Sequence, residues 1–236
     1  MDSRRAQKYA RVTGLLYLIS MVGGAFGEVH VPQSLLAANS LGETAQRISG
    51  SVGLFRASFI AYLVEATCDI TLSMLLYVLL RPVNRNLSLL AAFFGLISTA
   101  VFASGEIFYF SAALPSVDAH VGALLPPESK QALSYLGLTI FGYVFGIFST
   151  FYGTAAVVRG VLIFRSRYLP RSLGVVLVLG GLSFIAENIH VVVAPEFPLP
   201  FLVTTVPMAL AMLSMMLWLL VKGVNRARWD EIESQG

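Results

Sequence analysis

Charge is what this sequence has least of. Asp, Glu, Lys and Arg make up 12% of its 236 residues, about half the share of a soluble domain. With 56% apolar residues, that deficit excludes an ordinary water-soluble protein. Cysteine is nearly absent. Cys68 stands alone, so no intramolecular disulfide framework exists, and inside an apolar run a single thiol reads as small filler. The familiar catalytic signatures are missing too: there is no G-x-S-x-G, P-loop, H-E-x-x-H or C-x-x-C. No mid-span histidine pair is present to hold a haem. A pI of about 9.1 would suit nucleic acid if the basic residues formed a stripe interleaved with aromatics. They fall instead in short clusters between apolar runs, so no nucleic-acid partner is expected.

What is present is six apolar runs of bilayer-crossing length. They lie at about 11–29, 54–80, 87–114, 130–158, 172–194 and 201–221. The first run ends at Glu28 without a small-x-small cleavage site and is read as a retained helix. Within the polar segment 30–53, Ser40 is a candidate cap for a short helix over Glu43 to Ile48. RPVNRN at 81–86 is a tight basic turn. Pro115, Asp118, His120, Pro126 and Pro127 mark a loop, and RGVLIFRSRYLPR at 159–171 is a basic link. Pro195, Pro198 and Pro200 mark the last turn, and Pro207 predicts a kink in the sixth span.

Placing the N-terminus inside puts 13 of the 16 Lys and Arg on inner segments and leaves only Arg47, Arg56 and Lys130 outside. By the positive-inside rule both termini are cytoplasmic. The fold class expected is therefore an all-α integral membrane protein, a six-helix transmembrane bundle forming a single domain over 1–236. Gly23 and Gly27, Gly142 and Gly146 with Ser149 and Gly153, and Gly180 with Gly181 predict close helix packing. Packing within the chain is the preferred reading, and a homo-oligomer interface is the alternative.

The second run contains its own contradiction. Glu65 and Asp69 lie deep within it, four residues apart and hence on one helix face. Ser58, Tyr62 and Ser73 extend that stripe. Each mid-membrane carboxylate costs roughly 2.5–3.5 kcal/mol on the insertion scale. Glu106 in the third span shares a face with Thr99 and Tyr109. Glu187 in the fifth shares one with Gly180, Ser183 and His190. Only Arg56 is basic at comparable depth. Acids in such surplus are protonated, hydrated or neutralised by a bound cation. The cavity-lining or cation-binding candidates are Glu65, Asp69, Glu106, Glu187, Tyr62 and Tyr109. The structural alternative is neutral acids hydrogen-bonded across the bundle.

No cofactor is expected. The one metal-bearing alternative starts from Glu187-x-x-His190, an i, i+3 spacing used by carboxylate-bridged sites, with Glu28, His30, Glu106 and Glu65 as supplements. Arg11 to His30 and Arg171 to His190 both span 19 residues, or about 28 Å of helix, which puts both histidines at the outer boundary. The same offset relates Gly14 to Gly174 and Glu28 to Asn188, a weak internal echo.

The stretches ARVTGLLYLISMVGGAFGE (10–28), GLFRASFIAYLVEATCDITLSMLLYVLLRPVNRNLSLLAAFFGLI (53–97) and SRYLPRSLG (166–174) resemble a bacterial family of multi-pass membrane proteins, the domain-of-unknown-function family 4386. The resemblance implies a bacterial cytoplasmic-membrane protein. It implies no activity, so it carries over no site residue. The function expected is binding or transport of a small cation, proton or amine-like solute in an outward-facing acidic cavity. A membrane-embedded enzyme acting on a lipid or apolar small molecule, and a non-catalytic sensor or assembly subunit, are the alternatives. The lipid bilayer is the one partner common to all three.

Overall fold

A backbone in lipid must satisfy its own N–H and C=O groups, and the helix does so within one segment. A computed structural model of the chain describes residues 1–35, 41–193 and 201–234, and every element among these residues is helical. In order they are α1 (Ser3–Gly24), continued by a wider π-helical stretch (Ala25–His30), α2 (Val31–Leu35), α3 (Leu41–Gly50), α4 (Val52–Leu80), α5 (Arg85–Val117), α6 (Ala119–Leu124), α7 (Pro127–Ser166), α8 (Arg171–Val193), α9 (Phe201–Val221) and α10 (Arg226–Glu233). Six of them are long and apolar enough to cross a bilayer: α1 with its extension, α4, α5, α7, α8 and α9. These are the six spans read from the sequence. Ser40 and Pro195 to Pro200 lie outside the described residues.

The largest difference in bounds is at α7. It has 40 residues and runs through Arg159 and Arg165, which the sequence had placed in a basic link. Arginine is a good helix former, and Arg159 is buried at 5% exposure, so its charge marks no boundary. The loop expected at Pro115 to Pro127 is also shorter than read: Pro115 lies inside α5, and residues 119–124, with His120, form α6. The Asn84 side chain accepts from Leu87 N and opens α5. Asp118 accepts from His120 N and Val121 N and opens α6. α9 continues through Pro207.

The chain divides into two compact units. The first contains Met1–Ile19, Thr67–Thr99 and Gly146–Gly236. At one end of it four chain segments are tied together. Gln7 donates to Lys222 O and accepts from Val224 N, beside Gly223, whose φ of +69° favours glycine. Trp229 donates to Met1 O and packs edge-on against Tyr168 at 4.9 Å. The Tyr168 hydroxyl donates to Leu79 O at 2.5 Å. Both termini, the α4–α5 turn and the α7–α8 link thus meet, and these are the segments that the charge distribution assigns to one side of a membrane.

In this unit α7 and α8 approach along a reciprocal glycine seam. A Cβ on Gly153 would stand 2.6 Å from Gly181 O, and one on Gly181 would stand 2.5 Å from Gly153 O. Gly160 and Gly174 repeat the arrangement at 2.7 and 2.6 Å. Gly180 packs on Pro207 and Met208 of α9, and Gly14 on Leu219 and Leu220. Gly14 and Gly174 therefore meet different helices, so the internal echo does not extend to packing. Gly146 takes the side chain of Asn188, while a Cβ on Gly142 would have nothing within 4 Å. The expected Gly142–Gly146 step is not a helix-packing pair.

The second unit contains Ser20–Ala66 and Ala100–Phe145. Here the glycines of α1 and its extension receive α4: Gly23 faces Ala61 O, Gly24 the Glu65 carboxylate, and Gly27 the Tyr62 ring. Val31, Leu35, Thr44 and Ile48 bury the faces of α2 and α3, and Arg47 pairs with Glu43 across one exposed turn.

Candidate functional site

Helix α4 contributes Val52–Ala66 to the second unit and Thr67–Leu80 to the first. The candidate acids divide between the units in the same way. Glu65 and Glu106 belong to the second unit, Asp69 and Glu187 to the first.

In the second unit an aromatic lattice links α4, α5 and α7. Phe55 stacks on Tyr109 and Phe110 at 5.5 and 5.4 Å. Tyr62 meets Phe102 and Tyr109 edge-on at 5.8 and 5.9 Å, and Tyr109 reaches Phe141 at 5.3 Å. Phe55, Tyr62, Phe102 and Tyr109 are each at most 3% exposed. Glu106 is four residues from Phe102 and three from Tyr109, so helical periodicity puts it on the face that meets Tyr62. It too is only 3% exposed. One helical turn from Tyr62, the Glu65 carboxylate lies over Gly24, with Oε1 2.9 Å from where a Cβ would stand. The Tyr62 hydroxyl donates to Gly27 O at 2.8 Å. The four candidates Tyr62, Glu65, Glu106 and Tyr109 therefore belong to one neighbourhood. The Lys and Arg of this unit are Arg47, Arg56 and Lys130. Arg47 and Arg56 are exposed and Lys130 is half-buried at the start of α7.

In the first unit Asp69, at 8% exposure, lines a small cavity with Tyr17, Ser73, Gly95, Thr99, Tyr152 and Arg159. Its volume is about that of one water molecule. Arg159 donates to Ser73 Oγ at 3.1 Å and to Ala91 O at 3.5 Å. Gly95 makes that reach feasible, because a Cβ there would collide with the Arg159 guanidinium and the Ser73 hydroxyl. The sequence reading counted Arg56 as the only base at the depth of the acids. Arg56 is exposed, and the buried base is Arg159. Its signal was available: Tyr152, Ala155, Ala156 and Arg159 follow helical spacing and are all buried.

Glu187 is half-buried, near the Thr204 side chain. Its neighbour Asn188 donates to Thr150 Oγ1 at 2.6 Å. His190 is half-exposed. His30 is exposed and stacks on Phe26 at 5.8 Å, and the Glu28 side chain lies outside the described residues. Of the metal-site candidates, Glu28 and His30 belong to one unit and Glu187 and His190 to the other. Among the described residues no group of three or more His, Cys, Asp and Glu gathers as metal ligands would.

Comparison with known proteins places the chain in a family without an assigned activity. A family model described as a domain of unknown function, DUF4386, matches residues 12–223, and the chain belongs to that family. A protein of Archaeoglobus fulgidus described as uncharacterized is 24% identical over 119 residues. That match covers 50% of this chain and 57% of the archaeal protein, so the chain spans little more than half the length of this relative. No solved structure matches.

Proposed function

We propose that this member of the DUF4386 family binds a proton or a small cation, inorganic or amine-like, at Glu106 and Glu65, and moves it across the bacterial cytoplasmic membrane. The observation that carries this reading is the burial of Glu106, at 3% exposure, on the helix face that carries Phe102 and Tyr109, whose rings meet Tyr62. A carboxylate in so apolar a setting gains most from a proton or a cation, and aromatic faces add to the attraction for an organic ammonium. The Glu65 carboxylate, accommodated by Gly24, is the second acidic group on the route. Asp69 has a different role, because the Arg159 guanidinium lines the same small cavity and balances its charge within the fold.

Flux into proteoliposomes tests this, with a proton-sensitive dye and a panel of monovalent cations and primary amines. Glu106→Gln is expected to abolish a proton- or cation-coupled flux that the parent protein shows, and Glu65→Gln to lower it. Unchanged flux in both variants, with both correctly folded, would end the proposal.

A further inference from the structure

A groove opens between α7 and α8 in the first unit, beside the Gly160–Gly174 contact. It is lined by Val161, Phe164, Arg165, Gly174, Val175, Val178 and Leu179, with a volume of about 350 Å³. That is large enough for part of a small ligand. Its walls are apolar, and Phe164, Val175 and Leu179 are 46%, 45% and 57% exposed. Every helix in a bilayer shows apolar surface to lipid, so apolarity alone selects no occupant. Two further features do. Gly174 lets the two backbones close up, which makes a channel with a floor instead of a flat helix face. The mouth of the channel is strongly basic as well. Arg165 lines it directly, and the Arg171 guanidinium lies 5.5 Å over the ring of Phe164. Exposed Arg167 stands in the link between them, and residues 159–171 contain no Asp or Glu.

We propose that this groove binds an anionic phospholipid. An acyl chain runs along Val161, Val175, Val178 and Leu179, and the phosphate is gripped between Arg165 and Arg171. Guanidinium groups fix phosphate oxygens in a bidentate fork, and basic recesses between transmembrane helices are the places where anionic headgroups bind. The α7–α8 link belongs to the end where both termini gather, so the site reports on the leaflet that those segments face.

Native mass spectrometry of the detergent-purified full chain, loaded with equal phosphatidylglycerol and phosphatidylcholine, tests the site. The parent protein is expected to retain phosphatidylglycerol preferentially. The double variant Arg165→Gln/Arg171→Gln should lower that retention about tenfold. Val175→Trp, which fills the groove and keeps both arginines, should lower it as well. Arg85→Gln, which removes an exposed charge at the start of α5, should leave it unchanged. Thermal melting in phosphatidylcholine identifies any variant that fails to fold, and Val175→Trp decides the matter if the arginine double variant does. Equal retention of the two lipids by the parent, or undiminished retention by the folded variants, would overturn the proposal.

Discussion

The reciprocal glycines of α7 and α8 give the sharpest quantitative prediction. Gly181→Ala adds one methyl group that would stand 2.5 Å from Gly153 O, 2.8 Å from Val157 Cγ2 and 3.0 Å from Val157 N. Two of these obstacles are backbone, which cannot rotate aside, so the helices must separate by a large fraction of an ångström. Overpacking of this kind costs about 1–3 kcal/mol. It is opposed by the roughly 1 kcal/mol by which alanine outranks glycine inside a helix. The backbone obstacle puts the cost at the upper end, leaving a net loss of about 1–2 kcal/mol. Gly142→Ala meets nothing within 4 Å and should keep the propensity gain, up to about 1 kcal/mol. Fluorescence-monitored thermal unfolding in one detergent should therefore shift the two variants in opposite directions. Gly153→Ala/Gly181→Ala should cost less than the sum of its parts, since one separation of the helices relieves both clashes. Equal melting of Gly181→Ala and Gly142→Ala would refute the close approach.

Other expectations follow from single contacts. Arg159→Met removes the buried guanidinium that bonds Ser73 and Ala91 and shares a cavity with Asp69, and should cost about 1–3 kcal/mol; adding Asp69→Asn should recover part of the loss, as read from the same melting assay. Tyr168→Phe removes the donor to Leu79 O and should cost about 1–2 kcal/mol. Trp229→Ala should release α10 and speed limited proteolysis at Arg226 and Arg228, without moving the main unfolding transition by a comparable amount. In a Cys68→Ala background, single cysteines at Val83 and Ser234 should resist a membrane-impermeant thiol reagent in intact cells, and one at the exposed Ala123 should react. The reverse pattern would invert the orientation drawn from the charges.

The six spans were legible because length and apolarity are properties of a single segment, and one helix meets both demands of the bilayer by itself. Asn84 and Asp118 cap their helices through bonds that reach only two or three residues along the chain, yet the sequence read them only as turn and loop residues. Partner choice is another matter. Gly142 and Gly153 look alike in the sequence, yet one has open space around it and the other touches a second backbone. A glycine step states that an approach is tolerated, not which helix makes it.

Arg159 shows why the candidate site was only half legible. The positive-inside rule counts arginines by their position along the chain, and at the end of an apolar run a buried arginine and a loop arginine count alike. Counting Arg159 as an inner-loop charge left the buried acids without a buried base and inflated their apparent surplus. Burial reverses that reading for Asp69 alone, since Gly95, Ser73 and Ala91 make room for the guanidinium and bond it. Glu106 lies in the other unit, on the helix face of Phe102 and Tyr109. The surplus therefore narrows from four acids to three, Glu65, Glu106 and Glu187, and neutralising Glu106 is expected to act on flux while neutralising Asp69 acts first on stability.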